Sequence, residues 1–237
     1  MTEAFGKDWR KALHGTWRGD GWLGQHRAFR PPDAGHTKLD SQDWPNQQLR
    51  EAAVAVRDAL DAEDSPGLVF LGPQGTGKTR LQAVAFDYYL QRRAPRHRRA
   101  DNPECLWIDW HAFVRCMLSD KAWRASPLLD EIVQIGRVVI DDVPLPRSAD
   151  EAELFSVLTV ERHAYWQSLS AYDISGLSIT SNLTPTELRQ AFGDRVFDRL
   201  RERALWLAFK GKSLRQSLAA EELADLRARI ESEEDDE

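Results

Sequence analysis

A glycine-rich run that ends in lysine and threonine is the part of the sequence best suited to chemistry. Gly72-Pro-Gln-Gly-Thr-Gly-Lys-Thr79 follows a short apolar run and precedes a segment with helical spacing. Glycines let such a loop curl so that its backbone N–H groups point at an anion, and the start of a helix adds its positive dipole end. Lys78 can reach the β- and γ-phosphates of a nucleotide, and the Thr79 hydroxyl can ligate Mg²⁺. The predicted nucleotide contacts are Gly72, Pro73, Gln74, Gly75, Thr76, Gly77, Lys78, Thr79 and Arg80.

Two carboxylates follow an apolar run further along the chain. Val138-Val-Ile-Asp-Asp142 is typical of a buried strand that ends in an acidic pair. Such a pair can be a turn or a helix cap, but beside a phosphate loop we favour a catalytic pair. Asp141 is then predicted to organise Mg²⁺, and Asp142 to orient the water that attacks the γ-phosphate.

Two polar residues near the ends of later strands extend this candidate site. Asn182 ends the fourth predicted strand and can position the attacking water, or it is simply a turn residue before Pro185. Arg215 follows the fifth strand and can touch the phosphates of the nucleotide bound to its own chain.

Arg195 and Arg199 lie one helical turn apart on a short predicted helix. Both can be surface arginines that pair with Asp198 and Glu202. Alternatively, one of them reaches the γ-phosphate on a neighbouring subunit as an arginine finger. The sequence alone leaves both interpretations open.

Short apolar runs alternate with amphipathic segments through the middle of the chain, which predicts a parallel α/β sheet with helices on both faces. The predicted strands are Leu68–Leu71, Cys105–Asp109, Arg137–Asp141, Leu177–Ser181 and Leu205–Phe209. The first predicted helix begins at Gln47. The other predicted helices are Lys78–Gln91, His111–Leu118, Leu128–Ile135, Glu151–Ser168, Pro185–Ala191 and Asp194–Arg203.

The chain of 237 residues divides into three parts, namely a tryptophan-rich segment 1–45, the α/β domain 46–215 and a charged tail 216–237. The net charge of -6 argues against nucleic-acid binding only at first sight. The acidic end of the tail has a net negative charge larger than that of the whole chain, so the rest of the chain is not acidic. No apolar run is long enough for a membrane helix, the start lacks a signal peptide, and the two cysteines form no paired motif. We therefore expect a cytoplasmic protein.

With these motifs in order, residues 46–215 resemble the AAA+ ATPases of the DnaC/IstB type, which are bacterial helicase loaders and transposition accessory ATPases. The matching segments are the Walker A motif at 72–79, the Walker B motif at 138–142, the sensor-1 strand at 179–182, the arginine-finger segment at 193–200, the sensor-2 arginine at Arg215 and the adenine-pocket segment at Asn46 and Gln47. The resemblance implies a P-loop NTPase fold with a five-stranded parallel sheet and a reduced C-terminal lid.

The resemblance also implies a homo-oligomer that binds ATP and Mg²⁺ and holds single-stranded or duplex DNA. It further implies that Arg199 acts as an arginine finger on the nucleotide of a neighbouring subunit, with Arg195 one turn before it. In a loader, the N-terminal segment grips the replicative helicase. Here the tryptophans of 1–45 are candidates for that contact, or they pack onto the ATPase domain instead.

DNA contacts are predicted at two basic places. Lys121, Trp123 and Arg124 combine cations with an aromatic ring, which suits backbone neutralisation and base stacking. The arginine-rich run that includes Arg96, Arg98 and Arg99 suits an anionic partner, or it is a solvated loop.

We therefore predict an ATP-dependent loader of the replicative helicase. Three alternatives stay open, namely an IstB-like ATPase that regulates transposase and target DNA, a nucleotide-dependent scaffold with little turnover, and a small-molecule kinase. The kinase is disfavoured because the sequence shows no basic lid.

Overall fold

A parallel five-stranded sheet with strand order β2-β3-β4-β1-β5 forms the centre of the protein. The computed structural model describes residues 37–92, 105–169, 176–211 and 213–214. The strands are β1 (Gly67–Leu71), β2 (Cys105–Asp109), β3 (Arg137–Val143), β4 (Gly176–Ser181) and β5 (Ala204–Ala208). The prediction of an α/β fold with five parallel strands is confirmed.

Helices connect the strands. They are α1 (Gln47–Asp61), α2 (Lys78–Arg92), α3 (Trp110–Met117), α4 (Pro127–Gln134), α5 (Ala149–Ser156), α6 (Arg162–Ser168), α7 (Pro185–Phe192) and α8 (Asp194–Glu202). The helix predicted at 151–168 starts two residues earlier, where the Ser148 hydroxyl accepts a hydrogen bond from the Glu151 N–H, and a π-helical turn at Val157–Glu161 separates α5 from α6. None of the helices in the described ranges is long and apolar enough to cross a membrane.

Both faces of the sheet are mostly buried along β1 to β4, as expected for a parallel sheet covered by helices, and the edge strand β5 is half-buried. Successive residues of a strand point to opposite faces, so Val138 and Ile140 of β3 pack in one core cluster while Val139 packs in the other. The first cluster contains residues of α3, α4, α5, α7 and α8, and the second contains residues of α1 and α2. Two separate cores thus fix the carboxyl ends of the strands, where the predicted site residues lie.

The last part of the N-terminal segment packs onto this domain. Leu39 and Trp44 are buried in the cluster that holds α1, and the Trp44 indole N–H donates to the Lys38 carbonyl at 3.1 Å. For Trp44, packing is therefore the correct alternative. Trp9, Trp17 and Trp22 lie outside the described residues.

A buried arginine joins α6 to the end of α4. The Arg162 guanidinium donates to the Ile132 and Val133 carbonyls at 3.2 Å each and to the Ile135 and Gly136 carbonyls. These carbonyls close the C-terminal end of α4, where a cation is favoured by the helix dipole. Burial lowers the pKa of Arg162 to about 9, so the group keeps its charge at neutral pH.

Candidate active site

The phosphate loop follows β1 directly and leads into α2, as its motif predicts. Gly72 has φ +132°, and a Cβ added there would lie 2.2 Å from the Phe209 carbonyl oxygen. Gly77 has φ +92°, and a Cβ there would approach Leu49 of α1 to 2.9 Å. Only glycine fits these two positions without displacing a neighbour. The loop is thus held between the segment after β5 and the first helix.

Lys78 points back into this loop. Its ammonium donates to the Gly72 and Pro73 carbonyls at 2.7 Å each and to Asn182 Oδ1 at 3.0 Å. Burial lowers the pKa of Lys78 to about 8, although Asp142 and Asp141 act in the opposite direction. The ammonium is therefore charged at neutral pH, and its present partners are groups that an incoming phosphate can replace.

Two hydroxyl groups and a carboxylate meet beside the loop. The hydroxyls of Thr79 and Thr180 both donate to Asp141 Oδ1, at 3.0 and 2.5 Å. Burial raises the pKa of Asp141 to about 6, while these two hydrogen bonds act to lower it. Mg²⁺ prefers oxygen ligands and is usually held by one or two carboxylates together with substrate phosphates. The Thr79 and Asp141 oxygens have the chemistry of such ligands and lie together.

Asp142 has an unusual backbone conformation. Its φ is +58°, and the pairing of β3 with β4 shifts between Ile140 and Val143, which marks a bulge at the two acidic residues. The Asp142 N–H donates to Thr180 Oγ1 at 2.9 Å. Bulges re-aim side chains next to active sites, and this one turns Asp142 away from the strand direction.

Both carboxylate oxygens of Asp142 have neighbours. Oδ1 accepts a hydrogen bond from the Asn182 amide at 3.1 Å, and Oδ2 lies 3.5 Å from His111 Nε2. Because Asn182 also contacts Lys78, a continuous chain of polar contacts runs from Lys78 through Asn182 and Asp142 to His111. β4 lies beside β3, and this neighbourhood brings Asn182 next to the acidic pair.

Sequence reasoning missed two residues of this site. Thr180 lies in β4 one residue before its last, and His111 lies in the first turn of α3, two residues after β2 ends. Both residues lie near the carboxyl end of a strand that neighbours β3, which carries the acidic pair. The sequence does not give the strand order, so their nearness to the acidic pair follows only from the sheet, in which β2 and β4 lie on either side of β3.

Arg199 lies far from the phosphate loop of its own chain. It lines a cavity with Leu177 and Ala204 at the amino ends of β4 and β5, and Ala204 pairs with Gly67 at the amino end of β1. The phosphate loop starts at the other end of β1, and five strand residues span about 16 Å. The structure therefore does not bring Arg199 to its own nucleotide site.

The Arg199 guanidinium pairs with Glu202 at 2.9 Å, which is the surface pairing that the sequence allowed. Arg195 is exposed on the same helix. Arg215 lies outside the described residues, but the chain just before it folds over the phosphate loop, where the Leu214 N–H donates to the Gly75 carbonyl at 2.8 Å.

Asn46 and Gln47 use their side chains within α1. Asn46 Oδ1 accepts from the Leu49 N–H at 2.9 Å and caps the helix, and Gln47 donates to Glu51 at 2.7 Å. Arg80 donates to the Thr37 hydroxyl at 2.5 Å. The Asn46 and Gln47 side chains are thus engaged within α1, and Leu49 is buried against Gly77.

The DNA-contact prediction for Trp123 is wrong. Only 2% of Trp123 is exposed, because its ring packs in the first core cluster and cannot stack on a base. Arg124 lies 4.6 Å above that ring and pairs with Asp150 and Glu153, so its charge is compensated. Lys121 is exposed. Arg96, Arg98 and Arg99 lie outside the described residues.

The strand order and the flanking helices are shared with solved structures of AAA+ P-loop proteins. The DnaC helicase loader has the same fold, with a TM-score of 0.58 and 18% identity over 75% of this chain and 98% of that one. DnaI gives a TM-score of 0.54 and 18% identity over 75% of this chain and 90% of that one. AMPPCP-bound DnaA from Aquifex aeolicus gives a TM-score of 0.54 and 17% identity over 80% of this chain, which spans 55% of DnaA.

A scan against models of protein families finds no match, and a search of curated proteins finds none either. The likeness to solved structures establishes the AAA+ fold of the chain, which the resemblance of its motifs implied.

Nucleotide affinity is expected to fall as the pH rises through about 8, because Lys78 loses its charge there. The Kd for ATP, measured without Mg²⁺ by fluorescence, should rise roughly eightfold between about pH 7.5 and 9, as the charged fraction of Lys78 falls by that factor. Lys78→Arg is the matched control, since a guanidinium stays charged over this range. A wild-type profile as flat as the control would contradict the placement of Lys78 at the phosphates.

Proposed function

We propose that the protein is a Mg²⁺-dependent ATPase that loads a replicative helicase onto DNA. The observation that carries the proposal is the convergence of Lys78, Asn182 and Asp142 in one chain of hydrogen bonds at the carboxyl edge of the sheet. The likeness to DnaC over nearly the whole of that loader supports the choice of partner. An ATPase that acts on transposase and target DNA is the competing outcome of the test below.

ATP binding would rearrange the contacts of Lys78. Its ammonium leaves the Gly72 and Pro73 carbonyls and moves to the phosphates, where it neutralises charge that develops during phosphoryl transfer. Thr79 and Asp141 would hold Mg²⁺, which would supply positive charge that stabilises the phosphoryl group during transfer. Asp142 and Asn182 orient the water for in-line attack.

Hydrolysis in this scheme needs a second copy of the chain. Arg199 lies at the amino ends of β4 and β5, at the opposite edge of the sheet from the phosphate loop. A head-to-tail assembly brings such an edge of one subunit to the nucleotide of the next. Arg199 would then stabilise charge on the neighbouring γ-phosphate, with Arg195 as the second candidate one turn before it.

DNA and the helicase would be bound by other parts of the chain. Lys121 is exposed and could contact a phosphate of the DNA backbone. The arginine-rich run that includes Arg96, Arg98 and Arg99 is the second candidate for DNA contact. The N-terminal tryptophans Trp9, Trp17 and Trp22, interspersed with basic residues, are suited to partner contact because aromatic residues and arginine dominate interface hot spots.

A pull-down with purified partners tests the loader assignment. The full chain with ATP should retain the replicative helicase of the source organism, and a variant that lacks residues 1–36 should retain at least tenfold less, because hot-spot contacts of about 1.4 kcal/mol or more are lost. The deletion stops at 36 because Leu39 and Trp44 are buried and their loss would damage the ATPase domain.

The matched control is the same deletion assayed for nucleotide binding, which should be unchanged. Retention of a purified transposase in place of the helicase would favour the competing function, and equal retention by both variants would exclude the N-terminal segment as the partner contact.

A further inference from the structure

Thr180 holds two neighbouring acids with a single hydroxyl group. Its side chain lies on β4 beside the end of β3, and only 1% of the residue is exposed. Thr180 Oγ1 accepts a hydrogen bond from the Asp142 N–H at 2.9 Å, and the same hydroxyl donates to Asp141 Oδ1 at 2.5 Å. An ionised carboxylate can only accept, so the hydroxyl proton points at Asp141 while the oxygen serves the backbone of Asp142.

The backbone of Asp142 needs such a partner because it leaves the regular ladder of the sheet. β3 and β4 pair at Ile140 with Ile179 and again at Val143 with Ser181, so three residue steps of β3 lie opposite two of β4. This bulge contains Asp142, whose φ of +58° lies in the left-handed region. A residue other than glycine stays in that region only where its surroundings hold it there.

Hydroxyl groups of β4 bind the backbone on both sides of the strained position. Thr180 Oγ1 takes the Asp142 N–H, and the Ser181 hydroxyl donates to the Val143 carbonyl at 2.5 Å. Both hydroxyl residues are buried, so these side chains do here what water does at an exposed bulge. The backbone conformation that brings the Asp142 carboxylate to Asn182 therefore depends on the Thr180 hydroxyl.

We infer that Thr180 is a positioning residue, which holds the Asp141 carboxylate and the Asp142 backbone in a fixed relation to each other. The inference deepens the proposed ATPase function, and its catalytic part rests on that proposal. Asp141 is the proposed ligand of Mg²⁺ and Asp142 is proposed to orient the water, so one hydroxyl keeps the metal ligand and the water-orienting group aligned. Loss of such an outer partner typically costs about 10- to 100-fold in metal affinity or activity.

Ser178 offers a matched control on the same strand. It lies two residues before Thr180, its exposure is 0%, and its Oγ accepts the Leu68 N–H at 3.0 Å. Leu68 belongs to β1, which lies on the other side of β4 from β3. Ser178→Ala and Thr180→Val each deprive one buried backbone N–H of its hydroxyl partner, but only Thr180→Val does so at the acidic pair.

Two variants of Thr180 separate the hydroxyl from the shape of the side chain. Valine keeps the branched shape without the hydroxyl, and serine keeps the hydroxyl. The probe is Mn²⁺, titrated by EPR into the full chain with a non-hydrolysable ATP analogue. Its Kd should rise roughly tenfold in Thr180→Val and stay within about threefold of wild type in Thr180→Ser and Ser178→Ala.

A second readout uses neither metal nor nucleotide. Hydrogen exchange of the Asp142 amide, followed by NMR in the full chain, should be at least roughly tenfold faster in Thr180→Val than in Ser178→Ala, because exchange reports the local loss of a hydrogen bond. Should Thr180→Val fail to fold, Thr180→Cys carries both measurements with the same expected directions, since a thiol fills a similar space and is a weak donor and acceptor.

Turnover extends the test to the proposed reaction. At saturating Mg²⁺, Thr180→Val should lower kcat for ATP by about 10- to 100-fold and leave KM within about threefold of wild type, because misplaced groups slow the chemical step more than they weaken substrate binding. Thr180→Ser should recover most of kcat, which a role in packing alone does not predict.

The inference is overturned if Thr180→Val matches Ser178→Ala in Mn²⁺ affinity and in amide exchange. It is also overturned if Thr180→Ser is as impaired as Thr180→Val, because the hydroxyl would then not be the group that matters. Either result leaves the ATPase proposal intact as long as the wild type hydrolyses ATP. A wild type without turnover contradicts the proposed function instead, and the expected differences in Mn²⁺ affinity and amide exchange would still support the positioning by Thr180.

Discussion

Asp142→Asn is expected to lower ATP turnover by about 100- to 10,000-fold, which is the range for loss of a general base or water-orienting carboxylate. ATP affinity should stay within about threefold of wild type, because an interaction made only in the transition state contributes little to ground-state binding. Steady-state phosphate release and the Kd of a fluorescent ATP analogue, measured on the same preparations, separate the two effects.

The local backbone makes asparagine the right replacement. Asp142 has φ +58°, and asparagine tolerates this left-handed region better than other non-glycine residues. Its amide oxygen can still accept the hydrogen bond from Asn182, so the position keeps its shape and loses its charge. Asp150→Asn is the matched control, since Asp150 is an exposed acid on α5 that pairs with Arg124. Turnover in Asp142→Asn within threefold of that control would mean that Asp142 does not orient the water.

The backbone of the active site was predictable because its signals are local. An apolar strand, a glycine-rich loop and a helix follow one another in sequence, and the glycines at 72 and 77 lie where positive φ and close packing demand them. The Asp141 and Asn182 positions were also predictable, because residues that end neighbouring parallel strands meet at one edge of the sheet.

His111 and Trp123 show where such reasoning ends. His111 is a neighbour of Asp142 because β2 lies next to β3. The order of the strands in the sheet cannot be derived from the sequence pattern. Trp123 lies in a polar stretch that predicts exposure, yet a 3₁₀ turn at Trp123–Ala125 directs its ring into the core and leaves Arg124 stacked above it. Both cases depend on contacts between segments that are distant in sequence.

Arg162 had no signal at all in the sequence. Its function is to cap α4, which requires that the end of α4 lie against the start of α6. The π-helical turn before it shifts the helical register, so the spacing of apolar residues along 149–168 does not follow a single helical period.

Arg199→Ala is expected to lower turnover by about 1,000-fold without loss of ATP binding, as expected for removal of an arginine finger. Arg201→Ala is the matched control, because Arg201 is exposed on the same helix. Arg195→Ala shows whether the second candidate contributes. If Arg199→Ala keeps turnover near that of Arg201→Ala while Arg195→Ala loses it, the finger is Arg195.

Mixing two inactive variants tests whether Arg199 acts on a neighbouring subunit. Lys78→Ala subunits cannot hold ATP productively but carry an intact Arg199, and Arg199→Ala subunits have the reverse defect. In a random head-to-tail assembly about a quarter of the interfaces combine an intact phosphate loop with an intact arginine, so turnover should return to roughly that fraction of wild type. Native mass spectrometry of the mixture establishes that mixed oligomers form. Mixed oligomers without recovered turnover would contradict action in trans, because every subunit pair needed for it would be present.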